Sequence, residues 1–240
     1  MRRCWSISLV AWAFICAPAV YADTQLALDQ YYEPWSGPNG LETLRHMASC
    51  VVDRHPAVAQ DFVRMGGSEL DLRAKIDDLI DAKCVKMYWF RNSKTTIVPA
   101  TYLPLLAEAL LKRSYSAGQI PSVDGVGPLE HPALPDVAIE TVHRNYREVF
   151  IVDKAIVQLE QMGECVARRE PARVFQLAQT SPGSPDENSA LSALASAIAT
   201  CSGDRRQYAT PTFARRGAFV ANLYRLADAA RPVTLQEVTR

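Results

Sequence analysis

Two glutamate–histidine pairs are the residues in this sequence whose spacing could bind a metal. Glu140 and His143 lie three residues apart, and Glu42 and His46 lie four apart. Either spacing places both side chains on one face of a helix, as in carboxylate-bridged di-iron bundles. Such a site also needs a second Glu-x-x-His pair and two further carboxylates. The sequence therefore favours solvated helix faces and predicts no cofactor, with a metal-dependent or hydrolytic enzyme using these pairs as the alternative.

Four cysteines beyond residue 22 have the number and spacing of a disulfide framework. They are Cys50, Cys84, Cys165 and Cys201. An even number in an exported protein favours disulfides, whereas a tetrahedral zinc site would need closely spaced ligand pairs that are absent from the sequence. Four cysteines allow three pairings, and the internal duplication described next selects Cys50–Cys84 and Cys165–Cys201.

The elements that carry these cysteines occur twice in the chain. The segment CVVDRHPA begins at Cys50 and CVARREPA begins at Cys165, so that Pro56 and Pro171 each follow their cysteine by six residues. Each proline either interrupts a helix or begins the next short one. The repetition predicts an all-α fold with two homologous helical-bundle repeats, each containing one internal disulfide.

Within each repeat, a serine marks the start of a capped helix. Ser184 opens a capping box with Pro185 at the first helical position, and Ser68 opens a weaker version of it. In the first copy the apolar stripe through Ile76, Leu79 and Ile80 continues onto Cys84. We therefore expect a single capped helix there, with these side chains buried.

The N-terminal residues have the three parts of a secretory signal peptide. Arg2 and Arg3 precede an apolar run that is too short for a comfortable membrane span, and small residues precede a cleavage point after Ala22. An uncleaved anchor is the alternative. The leader predicts an exported protein, periplasmic or secreted, with no integral membrane segment after cleavage.

The sequence predicts six consecutive segments. They are a signal peptide (1–22), an irregular N-terminal segment (23–39), repeat 1 (40–117), a Pro/Gly-rich linker or ordered extended crossover (118–136), repeat 2 (137–231) and a C-terminal tail (232–240).

The charge of the chain offers no reason to expect a nucleic acid or an anionic membrane as partner. There are 26 basic and 26 acidic residues, and removing the two leader arginines leaves a small negative balance. The second copy is the richer in arginine, and we predict that these arginines form solvated surface, with a weak anionic-ligand site as the alternative. They are Arg168, Arg169, Arg205, Arg206, Arg215 and Arg216.

An aromatic and basic segment follows the first closing cysteine and differs from its polar counterpart in the second copy. It contains Tyr88, Trp89 and Arg91, and Trp35 in the N-terminal segment could join it. Large aromatic side chains supply contact area at protein interfaces, so these four residues are the predicted binding surface. The alternative is that they complete the core, where large aromatics usually pack.

The final helix of the second copy resembles one found in uncharacterised exported helical-repeat proteins of alphaproteobacteria. The resemblance rests on Arg216-Gly217-Ala218 followed by Ala221, Leu223, Tyr224 and Arg225; in the first copy Pro104 replaces the glycine and no tyrosine follows Leu110. It implies no known activity. Because the sequence also lacks a nucleophile elbow, a phosphate loop and a dinucleotide fingerprint, we predict an interaction or binding module of the cell envelope or secreted fraction, with an unknown partner.

Overall fold

The computed structural model describes residues 38–66, 75–86, 99–116, 118–132, 147–202 and 211–231. Within these ranges the chain forms nine α-helices and one 3-10 helix, and it contains no strand, so the all-α prediction is confirmed. The helices are α1 (Pro38–Arg54), α2 (Pro56–Met65), the 3-10 helix (Ile76–Leu79), α3 (Ala82–Lys86), α4 (Pro99–Ser114), α5 (Arg147–Arg169), α6 (Pro171–Gln179), α7 (Pro185–Ala193), α8 (Ala195–Ser202) and α9 (Thr212–Ala229).

The prolines at the α1–α2 and α5–α6 junctions each begin a new helix. The residue before each proline leaves the helical conformation, with φ −133° and ψ 55° at His55 and φ −136° and ψ 52° at Glu170. This agrees with the steric restriction that proline places on its predecessor. Because proline has no N–H, the first position of the next helix loses no hydrogen bond. Of the two roles considered for these prolines, the start of a short helix is therefore the one observed.

One disulfide joins two helices in each half of the chain. Cys50 of α1 is bonded to Cys84 of α3, and Cys165 of α5 to Cys201 of α8, with Cα atoms 5.7 Å apart in both. The predicted pairing is confirmed. By the chain-entropy relation, closing loops with sequence separations of 34 and 36 stabilises the fold by about 4 kcal/mol each.

Helices α4 and α9 form the centre of the hydrophobic core and contact each other. α4 also packs on α1 and α2, and α9 packs on α5 and α6. At their crossing, a Cβ on Gly217 would lie 2.8 Å from Cγ of Pro104, so only glycine allows this approach. One core cluster includes side chains from both halves of the chain. Its fully buried members on these two helices include Tyr102, Leu106, Leu110, Phe219, Leu223 and Leu226.

The single capped helix expected before Cys84 is wrong in its described part. The 3-10 helix ends at Leu79 and α3 begins at Ala82. Asp81 stands between them and caps α3, since its Oδ1 accepts the N–H of Lys83 at 2.7 Å. Ile80, expected in the buried stripe, is 43 % exposed. The chain turns outward here because the Asp81 carboxylate begins a new helix. Ser68, the expected cap, lies outside the described residues.

The carboxylate of Asp81 also binds the end of α1. Its Oδ2 accepts a hydrogen bond from Arg54 Nε at 2.6 Å and lies 2.8 Å from His55 Nε2. The bonds from Arg54, His55 and the Lys83 N–H hold the pKa of Asp81 well below its usual range. This contact connects the α1–α2 junction to α3, close to the Cys50–Cys84 bridge.

The cap predicted at Ser184 is present. Its Oγ accepts the N–H of Glu187 at 3.2 Å at the start of α7. The Glu187 side chain returns one residue earlier than in a standard capping box, because its Oε2 accepts the N–H of Gly183 at 2.7 Å. Its other carboxylate oxygen is thereby left to bind a cation from α9.

Candidate functional site

An open pocket of about 180 Å³ lies between α1 and α4. On each helix the lining positions are spaced three, four and seven residues from the first, which places them on one face. We call this feature the α1–α4 groove. It is lined by Glu42, Arg45, His46 and Ser49 from α1 and by Leu105, Glu108, Ala109 and Lys112 from α4.

A buried carboxylate, Glu108, holds the cations of the groove in place. Its Oε1 accepts hydrogen bonds from Arg45 Nη2 and Lys112 Nζ, both at 2.6 Å. Its Oε2 accepts two more from Arg216, Nη2 at 2.8 Å and Nε at 3.2 Å. Burial alone would raise the pKa of Glu108, but the three cations outweigh it and lower the pKa below its usual value. Glu108 is therefore a fixed negative charge under the groove.

Arg216 reaches Glu108 from α9 and is almost fully buried, with 2 % of the residue exposed. Its Nη1 donates to Glu187 Oε1 at 3.2 Å and to Thr180 Oγ1 at 2.7 Å, and its Nη2 donates to the Thr180 carbonyl at 3.0 Å. The prediction of a solvated arginine is wrong at this position. A buried guanidinium is stable here because two carboxylates and the end of α6 accept its donors.

Two cations and two acids line the groove. Arg45 and Lys112 are the cations, and Glu108 and Glu42 are the acids, with Glu42 at the exposed rim. Burial lowers the pKa of Lys112, and Glu108 opposes that effect. The guanidinium of Arg45 has five N–H donors and the ammonium of Lys112 has three; within the part of the chain that the structure describes, one donor of each binds Glu108. Arg45 and Lys112 can therefore offer further N–H donors to an acceptor group that enters the pocket from solvent.

In the second half of the chain, α5 and α9 cross closely. A Cβ on Gly163 would lie 2.7 Å from the carbonyl oxygen of Ala218, so the helices meet backbone to backbone at this point. Beside it, Asn222 Nδ2 donates to Glu160 Oε2 at 2.7 Å. Burial raises the pKa of the partly exposed Glu160 to about 7, although Arg225 and Asn222 lower it.

Residues 126–131 lie across α5 and α9 and cover this crossing. Glu164 of α5 receives the N–H of Leu129 at 3.0 Å and contacts His131 Nε2 at 2.6 Å. Arg225 of α9 donates to the Glu130 carbonyl at 2.7 Å. Arg168 of α5 donates to the carbonyls of Val126 and Gly127. Residues 118–132, which we call the crossover segment, contain no helix and are bound mainly through backbone groups. The prediction of solvated surface is therefore also wrong for Arg168.

Most of the residues predicted for a site lie where the structure gives no description. Tyr88, Trp89, Arg91 and Trp35 are outside the described residues, and so are Glu140 and His143. The predicted aromatic surface therefore stays a prediction. Glu42 and His46 are described, and they lie at the rim of the α1–α4 groove with Oε1 and Nε2 3.3 Å apart. Among the described residues, no cluster of three or more histidine, cysteine, aspartate or glutamate side chains could hold a metal ion.

The sequence interpretation missed Arg45, Glu108 and Lys112. One signal was available, because Glu108 is a single acid within the apolar run YLPLLAEALL. A charge at a core-facing position is retained only with a partner. That partner, Arg216, is 108 residues away in the sequence, and no local spacing connects the two.

Comparisons with family models, with curated proteins and with solved structures find no match to this chain. Over the ranges that the structure covers, none of the helices has the length and apolar character needed to cross a membrane.

Proposed function

We propose that this protein is an exported helical module that acts by binding, and that the α1–α4 groove is its binding site. The observation that carries the proposal is the state of Arg45 and Lys112. Both are held by the buried Glu108, and both line an accessible pocket. Positioning two cations in advance lowers the cost of ordering them when an anionic partner binds.

Internal duplication is part of this proposal, with homologous repeats over residues 40–117 and 137–231. Several paired features support it. Both halves have the same backbone angles before the junction proline, and both have a disulfide from the first long helix with the same Cα separation. In addition, Pro104 of α4 contacts Gly217 of α9, and these positions correspond in the repeat alignment. One ancestral unit, copied and then diverged, accounts for all of them.

Export is proposed from the leader at residues 1–22, which lies outside the described residues, and from the two disulfides. Disulfides persist mainly in oxidising compartments such as the periplasm and the extracellular space. The resemblance to exported alphaproteobacterial repeat proteins stays a prediction. Its motif residues have structural positions here: Arg216, Gly217, Tyr224 and Arg225 are all buried in α9.

The alternative is a metal-dependent or hydrolytic enzyme. The pairing of Glu42 with His46 at the rim of the groove favours it. It requires Glu140 and His143 to reach the same place. Elemental analysis of protein purified without chelators tests this alternative, because a metal-dependent enzyme retains stoichiometric metal that Glu42→Gln removes.

The test of the binding proposal is a pull-down from the exported fraction with three forms of the protein. Wild type and Arg113→Gln should recover the same partner, whereas Lys112→Gln should not. Arg113 is a matched control, since it is next in sequence, carries the same charge and binds Asp53 outside the groove. A hydrolase screen accompanies the pull-down. Turnover that disappears when one polar residue is changed, without a partner that depends on Lys112, would overturn the proposal.

A further inference from the structure

The crossover segment is fastened to α5 and α9 mainly by charged side chains. Glu164 and Arg168 of α5 and Arg225 of α9 bind backbone groups of residues 126–131. The segment forms neither helix nor strand, so it has no regular backbone hydrogen bonds of its own to hold it in place. Its attachment therefore depends on the charges that α5 and α9 present to it.

Arg225 connects this segment to two helices. Its Nη2 donates to the Glu130 carbonyl at 2.7 Å, and its Nη1 donates to Oδ1 of Asn222 on α9 at 3.4 Å. A Cβ on Gly66, at the end of α2, would lie 2.5 Å from Cζ of Arg225, so the guanidinium lies directly against that glycine. Arg225 is buried, and a change in the direction of its guanidinium would remove the bond to the Glu130 carbonyl.

The carboxyl group of Glu160 is on the other side of the Asn222 amide. Asn222 Nδ2 donates to Glu160 Oε2 at 2.7 Å, so a single neutral amide separates this carboxyl from the guanidinium of Arg225. Within the ranges that the structure describes, no arginine or lysine forms an ion pair with Glu160. Burial raises its pKa to about 7, although Arg225 and Asn222 lower it. Glu160 therefore changes its charge at a place where no cation is directly bound to it.

Few other charges face the crossing of α5 and α9. They are Glu164 and Arg168 on α5, Arg225 on α9, and Glu130 and His131 on the crossover segment. Three further elements pack against these helices. α2 contacts Arg225 through Gly66, α8 contains no charged residue, and Arg173 of α6 is paired with Glu170. While Glu160 is neutral, the two arginines face two carboxylates, and its ionisation adds a third carboxylate close to Arg225.

We propose that the crossover segment is a pH-sensitive strap, which is held on α5 and α9 while the Glu160 carboxyl is protonated and opens more readily when that carboxyl ionises. The ionised carboxylate attracts the guanidinium of Arg225, and the hydrogen bond from Arg225 Nη2 to the Glu130 carbonyl is lost. Residues 126–131 are then held by α5 alone among the hydrogen bonds of the described residues. The strap is separate from the α1–α4 groove, and the inference does not depend on the function proposed for that groove.

Amide hydrogen exchange of the intact protein tests the inference. The Leu129 N–H, which donates to Glu164 at 3.0 Å, reports opening of the strap. Its protection factor is measured from about pH 5 to pH 8, relative to the exchange rate of an unstructured chain at each pH. Opening that returns Glu160 to water becomes easier by up to about tenfold per pH unit between the ordinary and the folded pKa. We expect wild type to lose about tenfold or more in protection over this range, and Glu160→Gln to lose less than about twofold.

Two comparisons separate the strap from other causes of the same pH dependence. The amide of Leu223, in the core of α9, reports global unfolding, and it should stay better protected than Leu129 at every pH. Equal protection of the two amides would mean that the segment opens only when the whole protein unfolds, which refutes the inference. His131→Gln should keep the loss of protection seen in wild type. A loss that persists in Glu160→Gln and disappears in His131→Gln would assign the titration to His131 and overturn the inference.

A measurement on wild type alone keeps the inference testable if either variant folds poorly. The side-chain carboxyl carbon of Glu160, labelled with ¹³C, is followed by NMR over the same pH range. Its chemical shift and the protection of the Leu129 amide should change together. A Glu160 carboxyl that titrates while the protection of Leu129 stays constant would show that the two are not connected.

Discussion

Replacing Glu160 by glutamine should remove a loss of stability that the wild-type protein shows as the pH rises. Burial at the α5–α9 crossing raises the pKa of Glu160 from 4.5 to about 7. The fold therefore favours the protonated acid, and its contribution is complete below the unfolded pKa and is lost as the pH rises through the folded one. The difference corresponds to about 3 kcal/mol at about 1.4 kcal/mol per pKa unit. Because the residue is partly exposed, we expect about 2–3 kcal/mol after solvent screening.

The assay is urea unfolding of wild type and Glu160→Gln at several pH values between about 4 and 9. The amide keeps an oxygen that can accept the bond from Asn222 Nδ2 but cannot ionise. Glu160→Gln should therefore gain stability relative to wild type by about 2–3 kcal/mol across this range. Equal pH dependence of the two proteins would refute the assignment of a protonated Glu160.

Glu164→Gln is a control of opposite sign on the same helix. Burial would raise the pKa of Glu164, but the Leu129 N–H, His131 and Arg168 outweigh it and lower the pKa. Its carboxylate stabilises the fold above the unfolded pKa, and that contribution is lost as the pH falls through the folded pKa. Glu164→Gln should therefore be most destabilising at neutral pH and approach wild type in acid.

Three further predictions concern the framework. The double substitution Cys50→Ser and Cys84→Ser should lower the free energy of unfolding by about 4 kcal/mol. Non-reducing peptide mapping of wild type should give Cys50–Cys84 and Cys165–Cys201, and a peptide joining Cys84 to Cys165 contradicts the pairing. Arg216→Met should cost about 3–5 kcal/mol because it leaves Glu108 and Glu187 buried without their cation, and a melting temperature equal to that of Arg113→Gln would show that the network contributes little. Gly217→Ala should lower the free energy of unfolding by about 1–3 kcal/mol, since the new Cβ would lie 2.8 Å from Pro104. The control is Gly127→Ala, whose Cβ would have no atom within 4 Å, and it should have the wild-type melting temperature in calorimetry.

Features set by neighbours in the sequence could be predicted, whereas features set by distant partners could not. The cap at Ser184 needs only Glu187, three residues away, and the junctions at Pro56 and Pro171 follow from the chemistry of proline itself. The disulfide pairing was predictable because the cysteine spacing recurs. The break at Asp81 was missed because apolar periodicity continues through it, although the acid that caps α3 stands directly before that helix.

The α1–α4 groove was the hardest feature to predict because it depends on both halves of the chain. Helical periodicity shows which residues share a face, but it does not show which face of another helix they meet. Arg45 and Lys112 have the spacing of ordinary surface residues, and only the fold places Glu108 between them. The aromatic residues that the sequence favoured for binding were conspicuous by type, whereas the groove is built from common charged residues.

The contact between Arg216 and Glu108 means that the α1–α4 groove is built from residues of both halves of the chain. Glu108 belongs to α4 in the first half, and Arg216 belongs to α9 in the second. Without Arg216, Glu108 would keep only Arg45 and Lys112 as cations, and both would be drawn inward to balance a buried charge. With Arg216 underneath, that charge is balanced in part from within the core, and Arg45 and Lys112 each need to give only one donor to Glu108. Residues 126–131 cover the crossing of α5 and α9, whereas the pocket between α1 and α4 is open and its buried acid is bound by an arginine from the second half.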